Sequence, residues 1–307
     1  MSTLANPASW LTGYIADLPT PFDCRDQLDL DAFAMLCERQ IDAGATAIVV
    51  GETAGEASTL TTAEKERLIR CATRTARGRA RVIAGAGSNS TDRAIELTMR
   101  AERAGADAVL SVVPYYNKPM QQGMVAHFRA VAACTALPVI LHDIPARTAR
   151  PLGDETIAVL AESRQFAGLR DGTGDVSRPA RLRSLVPPHF RLLSGDDGTA
   201  LGYLASGGDG CISLVSNIAP DLCRINFSNP RQGRLQIALR LQRRLGQLEA
   251  SMSSDVPAAL KYALSLLGLM RPCTRLPIVE LDEASKAQVA RALAGATCEE
   301  PIAAAQA

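Results

Sequence analysis

Eight short apolar runs punctuate the chain, at 14–18, 47–50, 82–85, 108–112, 139–143, 166–170, 191–195 and 210–214. Each is four or five residues long and apolar at nearly every position instead of every second one. A strand wetted on one face alternates, whereas one covered on both faces does not, so these runs predict buried parallel strands. Amphipathic stretches lie between them. Residues 30–43 put Phe33, Leu36, Cys37, Gln40 and Ile41 on one helical face. Residues 62–77 open with Thr62 as a candidate N-cap, and 91–104 end just before Gly105, the position that favours glycine after a helix. Shorter helices are expected at 154–163 and 199–206, the second closed by Gly207 and Gly208.

Eightfold alternation of strand and helix predicts an α/β protein of the closed (β/α)8 TIM-barrel class. The rival architecture is a doubly wound open sheet. Its usual G-x-G-x-x-G turn after the first strand is missing, and Gly85-Ala86-Gly87 lacks the third glycine. After residue 233 the strand pattern stops, and 234–252, 257–267 and 283–293 all read as helices. The expected division is therefore a barrel over 1–233 and a C-terminal helical domain over 234–307. One apolar side on those helices predicts packing on the barrel or on another subunit.

Composition narrows the function classes. The 307 residues carry a net charge of +1, which gives no electrostatic reason for a nucleic-acid or membrane partner. The first ten residues have neither a basic nor an apolar signal region, and no apolar run is long enough to span a bilayer. The eight cysteines are scattered without a C-x-x-C pair, so neither a metal site nor a disulfide framework is expected, and a cytoplasmic location is. Lysine is scarce. Only Lys65, Lys118, Lys261 and Lys286 occur, leaving 29 of the 33 basic residues as arginine.

In a barrel the active site forms beyond the C-terminal ends of the strands. That rule selects Gly51-Glu52-Thr53-Ala54-Gly55-Glu56, Pro114-Tyr115-Tyr116-Asn117, and His142 to Thr148 with Arg147. It also selects Arg170-Asp171 and Ser194-Gly195-Asp196-Asp197. A glycine turn with a hydroxyl, two tyrosines, a histidine and two arginines suits a small anionic carbonyl compound. Each residue also has a purely structural use. Thr53 could cap a helix, Tyr115 and Tyr116 could be interface aromatics, and His142 a hydrogen-bonded core histidine. Arg147 could be a solvated cation, and Asp196 and Asp197 could end a strand and cap a helix.

These motifs, together with Pro19-Thr20-Pro21-Phe22 and Arg275-Leu276-Pro277, give a chain that resembles the dihydrodipicolinate synthase / N-acetylneuraminate lyase superfamily over nearly its whole length. The resemblance implies a barrel with a helical tail, assembled as a homotetramer built from two dimers. It implies condensation of pyruvate, or a related 2-keto acid, with an aldehyde such as aspartate semialdehyde, without a metal or organic cofactor. In the family a lysine ending the sixth strand forms an imine with pyruvate, and this position is Arg170. By the same resemblance Thr53 and Tyr116 belong to a proton relay, Tyr116 reaching a neighbouring subunit, and Arg147 binds the carboxylate of the second substrate. Tyr115, Gly195 and Ile212 line the site or its dimer edge.

Three departures stand out. Arg170 cannot supply a free amine, because a guanidinium stays protonated. His142 stands where the relay has a tyrosine, and imidazole can still move protons. Ala54 lacks the hydroxyl expected near the pyruvate carboxylate. No other lysine lies at a strand end, so imine-dependent turnover is expected to fall by several orders of magnitude, with Arg170→Lys raising it steeply. The alternatives are a 2-keto-acid or sugar-acid binding protein using Arg170 as an extra carboxylate anchor, or a barrel decarboxylase or dehydratase. At the position the resemblance assigns to lysine feedback, Arg93 would repel a lysine ligand.

Overall fold

The computed structural model describes residues 8–228, 234–253 and 255–297. Its eight strands are β1 (Gly13–Asp17), β2 (Ala47–Val50), β3 (Arg81–Gly85), β4 (Ala108–Val112), β5 (Val139–Asp143), β6 (Phe166–Asp171), β7 (Arg191–Ser194) and β8 (Gly210–Ser213). All pair in parallel and in chain order, and β1 pairs with β8 through Ile15 and Ile212, so the sheet closes and the open-sheet rival is excluded. Every predicted strand forms, with ends shifted by no more than one residue.

Helices cover the outside: α1 (Leu30–Asp42), α2 (Thr62–Ala76), α3 (Thr91–Ala104), α4 (Gln121–Ala133), α5 (Pro145–Thr148), α6 (Asp154–Ala161), α7 (Arg178–Arg183), α8 (Ala200–Ala205) and α9 (Pro220–Ser228). The face predicted for α1 is the buried one. Gly105 ends α3 with φ 95°, as its position implied. The cap of α2 is Thr61, not Thr62: Thr61 and Glu64 form a reciprocal capping box that leaves Thr62 inside the first turn. The helix at 121–133 carried little sequence signal, since no side chain caps it and Gly123 sits in its first turn.

Two apolar layers account for the near-continuous strand runs. Ile15, Ala47, Val49, Ile83, Ala108, Leu110, Ile140, Leu193 and Ile212 fill the barrel interior. Their neighbours Ala16, Ile48, Val50, Val82, Val109, Leu141 and Leu192 pack outward against the helices. Strict alternation continues in β1 and β5 and aims Asp17 and His142 into the top of the barrel. β6 breaks the alternation. Val139 pairs with Phe166 but Ile140 pairs with Gly168, so one extra residue, Ala167, bulges in. The shift turns Leu169 outward and brings Arg170 into register with His142, facing the interior.

Three helices complete the chain: α10 (Leu235–Ser251), α11 (Val256–Leu266) and α12 (Glu283–Thr297). They share one buried cluster with Tyr14, Cys211 and Val215 of the barrel, through Leu241, Leu245, Leu248, Ala259 and Leu264. Lys261 of α11 is fully buried, ion-pairs with Glu56 of the loop after β2, and donates to the Cys273 carbonyl at 2.9 Å. Its ammonium also lies 4.1 Å from the Phe22 ring centroid. The tail is thus pinned beside the mouth of the barrel. The expected boundary at 233 lies outside the described residues. No helix among the described residues is long and apolar enough to cross a membrane.

Candidate active site

The top layer of the barrel holds a compact charged cluster. Arg170 is 2% exposed, and its guanidinium donates to Asp17 Oδ2 at 2.8 Å and Glu52 Oε2 at 3.5 Å. Glu52 is itself buried in the loop after β2. Its Oε1 lies 3.0 Å from His142 Nδ1, and its Oε2 accepts the Thr53 hydroxyl at 2.5 Å. Thr53, Glu52 and His142 therefore form a continuous hydrogen-bonded chain. Period-two alternation supplies Asp17 and His142, the β6 bulge supplies Arg170, and the glycine turn after β2 carries Glu52 and Thr53 over the top.

Burial sets the charge states. It resists ionisation of Glu52, but His142, Arg170 and the Thr53 hydrogen bond outweigh it and hold the carboxyl well below the usual range. Burial also lowers the His142 imidazole, against the pull of Glu52. The ring is therefore neutral near pH 7 and donates Nδ1–H to Glu52, with Arg170 and Thr53 left to keep Glu52 charged. Asp17 is pushed up to about 6 by burial, with Arg170 pulling the other way and Glu52 adding to the rise.

Two adjoining cavities open at this end. One, of about 410 Å³, is lined by Glu52, Thr53, Lys65, Arg93, Tyr115 and Arg147 among others. The second, of about 480 Å³, lies towards α10 and is lined by Thr53, Arg147, Arg170, Gly195, Asp196 and Glu249 among others. Thr53, Ile144 and Arg147 belong to both. The two arginines differ sharply. Arg170 is neutralised by internal carboxylates, whereas the exposed Arg147 guanidinium makes no hydrogen bond or ion pair with any described residue.

Gly195 lines the second cavity for a steric reason. A Cβ there would stand 3.1 Å from Arg170 Cγ and 3.3 Å from its Nε, so glycine leaves the guanidinium its place. A chain of this architecture, with these loops at this rim, matches the model of the Dihydrodipicolinate synthetase family over residues 10–296. The chain belongs to that family. It is 47% identical to the 4-hydroxy-tetrahydrodipicolinate synthase of Hyphomonas neptunium, over 92% of this chain and 98% of that one. Dihydrodipicolinate synthase from Bacillus anthracis superposes with a TM-score of 0.90 at 34% identity, covering 92% of this chain and 97% of that structure. The Acinetobacter baumannii enzyme, described as chloride-inhibited and complexed with pyruvate, gives 0.90 at 37% identity, covering 93% of this chain and 98% of that one.

Within this family member, Thr53, His142 and Arg170 come together around Glu52, and Arg147, Tyr115 and Gly195 line the adjoining cavities. Tyr116 does not join them within the subunit: it is 90% exposed, with φ 70°. Ala54 and Ile212 are fully buried, Ile212 within the barrel-filling layer. Asp196 accepts the Thr199 N–H and hydroxyl, and buried Asp197 accepts the N–H groups of Leu214 and Val215, so both perform the loop-fastening role weighed for them. Arg93 pairs with Glu96 and Thr62 at the rim of the first cavity.

Sequence reasoning assigned no role to Asp17, Glu52, Lys65 or Glu249. Asp17 had a signal, an acid within an otherwise apolar strand. Glu52 was visible only as part of its loop. Lys65 and Glu249 sit on helices, and nothing local marks a helical residue as lining a barrel mouth.

Proposed function

We propose that this chain is a lyase of the 4-hydroxy-tetrahydrodipicolinate synthase type, acting on pyruvate or a related 2-keto acid at the mouth of the barrel, with an aldehyde such as aspartate semialdehyde as second substrate. Arg147 carries the reading. It is an exposed guanidinium without an internal partner, on the shared rim of two cavities, and is suited to a bidentate carboxylate contact. Thr53, Glu52 and His142 form the proton relay beside it, with Glu52 linking the other two. Position 170 supplies no imine, and the pairing of Arg170 Nη1 with both Asp17 and Glu52 favours a place in the charged cluster over that of a substrate anchor. Its role is to keep Glu52 ionised and the top layer closed. Tyr116, exposed and held at positive φ, is the residue a neighbouring subunit would receive in a homotetramer.

The test is condensation of pyruvate with aspartate semialdehyde, alongside pyruvate-induced thermal stabilisation. Arg147→Ala removes a charged hydrogen-bonding group worth about 1.5–3 kcal/mol, so substrate affinity should fall about 10- to 150-fold with the melting temperature unchanged. Absence of both stabilisation and turnover across 2-keto acids would overturn the assignment.

A further inference from the structure

Addition of a carbon nucleophile to an aldehyde leaves an alkoxide, which needs a proton from a group beside it. The chain of Thr53, Glu52 and His142 is suited to removing a proton. Glu52 is ionised, and the buried His142 ring lines neither cavity. The second cavity, which Arg147 and Thr53 share with the first, has a further wall on α10. Its lining groups able to exchange a proton are Thr53, Ser253, Arg147, Arg170, Asp196 and Glu249. The Thr53 hydroxyl donates to Glu52, and the Ser253 hydroxyl donates to the Ala250 carbonyl at 2.9 Å. Arg147 and Arg170 are guanidinium groups, which stay protonated. Asp196 is engaged as an acceptor by the Thr199 N–H and hydroxyl at 2.8 and 2.7 Å. Glu249 remains. The loop after β7 fixes its carboxyl: Oε1 accepts the Asp197 N–H at 3.0 Å, and a Cβ on Gly198 would stand 2.5 Å from Oε2, so the glycine leaves that oxygen its place.

We propose that Glu249 is the general acid of this active site, giving its proton to the aldehyde oxygen of the second substrate while Arg147 holds that substrate's carboxylate. The inference rests on the lyase reading of the site. The carbon next to the keto group gives up a proton through Thr53 to Glu52, and the C–H electron pair is retained as an enolate. That carbon attacks the aldehyde carbon. A C–C bond forms, the aldehyde π pair moves to oxygen, and the Glu249 O–H bond breaks to complete the product hydroxyl. One proton has entered Glu52 and one has left Glu249, and exchange with solvent resets both. No other reactant enters the balance.

The surroundings keep the proton on Glu249 near neutral pH. Burial, then Asp197 and Asp196, push its carboxyl up to about 8, against the pull of the Asp197 and Gly198 N–H groups. Cys211 of β8 also lies within its field, a thiol that burial pushes well up, and Arg147 and Arg170 lie on the same cavity. An acid acts only while protonated, so turnover should fall as pH rises through about 8.

The experiment is the pH profile of pyruvate–aspartate semialdehyde condensation by the full-length protein and by Glu249→Gln. The parent's kcat should fall above about pH 8. The variant should lose that limb and, near neutral pH, about 100-fold in kcat, with KM for the semialdehyde largely kept. Its melting temperature at pH 8 should equal or exceed the parent's, which separates lost chemistry from lost folding. Glu249→Asp, which keeps a carboxyl, should retain the limb and part of the rate. An undiminished kcat in Glu249→Gln, or a high-pH limb that survives in it, would overturn the general acid and leave the lyase reading standing. Pyruvate-induced stabilisation without condensation by the parent at any pH would overturn the general acid and leave 2-keto-acid binding. Neither stabilisation nor condensation would overturn both.

Discussion

Arg170 illustrates how one side chain changes meaning once its neighbours are known. In the sequence it is a missing amine; in the barrel it is a cation shared by Asp17 and Glu52 with almost no access to solvent. Arg170→Met should therefore destabilise the protein by about 3–5 kcal/mol, the usual cost of stranding a buried charge, as measured by denaturant unfolding. Arg170→Lys has a different expected outcome from the steep gain that the sequence suggests. An ammonium placed between two carboxylates is held protonated, so the variant should gain neither a borohydride-trapped adduct at 170 nor a steep rise in turnover. The added substitution Asp17→Ala relaxes that hold. If Arg170→Lys alone restored rapid condensation, the charge argument for this cluster would be wrong.

At the scale of elements, the junction between the β7–α8 loop and α10 carries a concentration of acid. Glu249 of α10 accepts the Asp197 N–H at 3.0 Å, while burial first, then Asp197 and Asp196, push its carboxyl up to about 8 from 4.5. A carboxyl raised in the folded state keeps a proton that the unfolded chain releases. Stability from this group is thus undiminished below about 4.5, falls as pH rises, and reaches its minimum contribution above about 8. Glu249→Gln retains an acceptor for the backbone N–H without the ionisation. Its melting temperature should match the parent near pH 4.5 and exceed it increasingly towards pH 8. A gap independent of pH would mean that Glu249 titrates normally.

For the whole molecule, the family match spans residues 10–296 and so takes in both the barrel and the tail helices. The exposed Tyr115, Tyr116 and Met120 cluster in and just beyond the loop after β4, and Tyr116 holds the left-handed conformation that a bulky side chain rarely adopts. Such strain on an exposed aromatic is consistent with a role outside its own subunit. Sedimentation should show a tetramer. Tyr116→Ala should lower turnover while leaving the melting temperature of the subunit unchanged. A monomer with full activity would remove both the assembly and the intersubunit role.

Local chemistry was sufficient for much of this protein. Runs apolar at every position require two covering layers, and eight of them separated by amphipathic helices imply a closed barrel. The barrel rule then selected Thr53, Arg147, His142 and Arg170 as residues of one rim. Other features were decided only by packing. The bulge at Ala167 depends on the fit of β6 against β5, and without it alternation would send Arg170 outward. The pairing of Asp17 with Arg170 joins residues 153 positions apart, and that of Glu52 with Arg170 spans 118. The aim of Lys65 depends on how α2 sits over the turn after β2. Periodicity records which face of an element is covered. It does not record which distant side chains share the space above, and that is where this site acquires its charges.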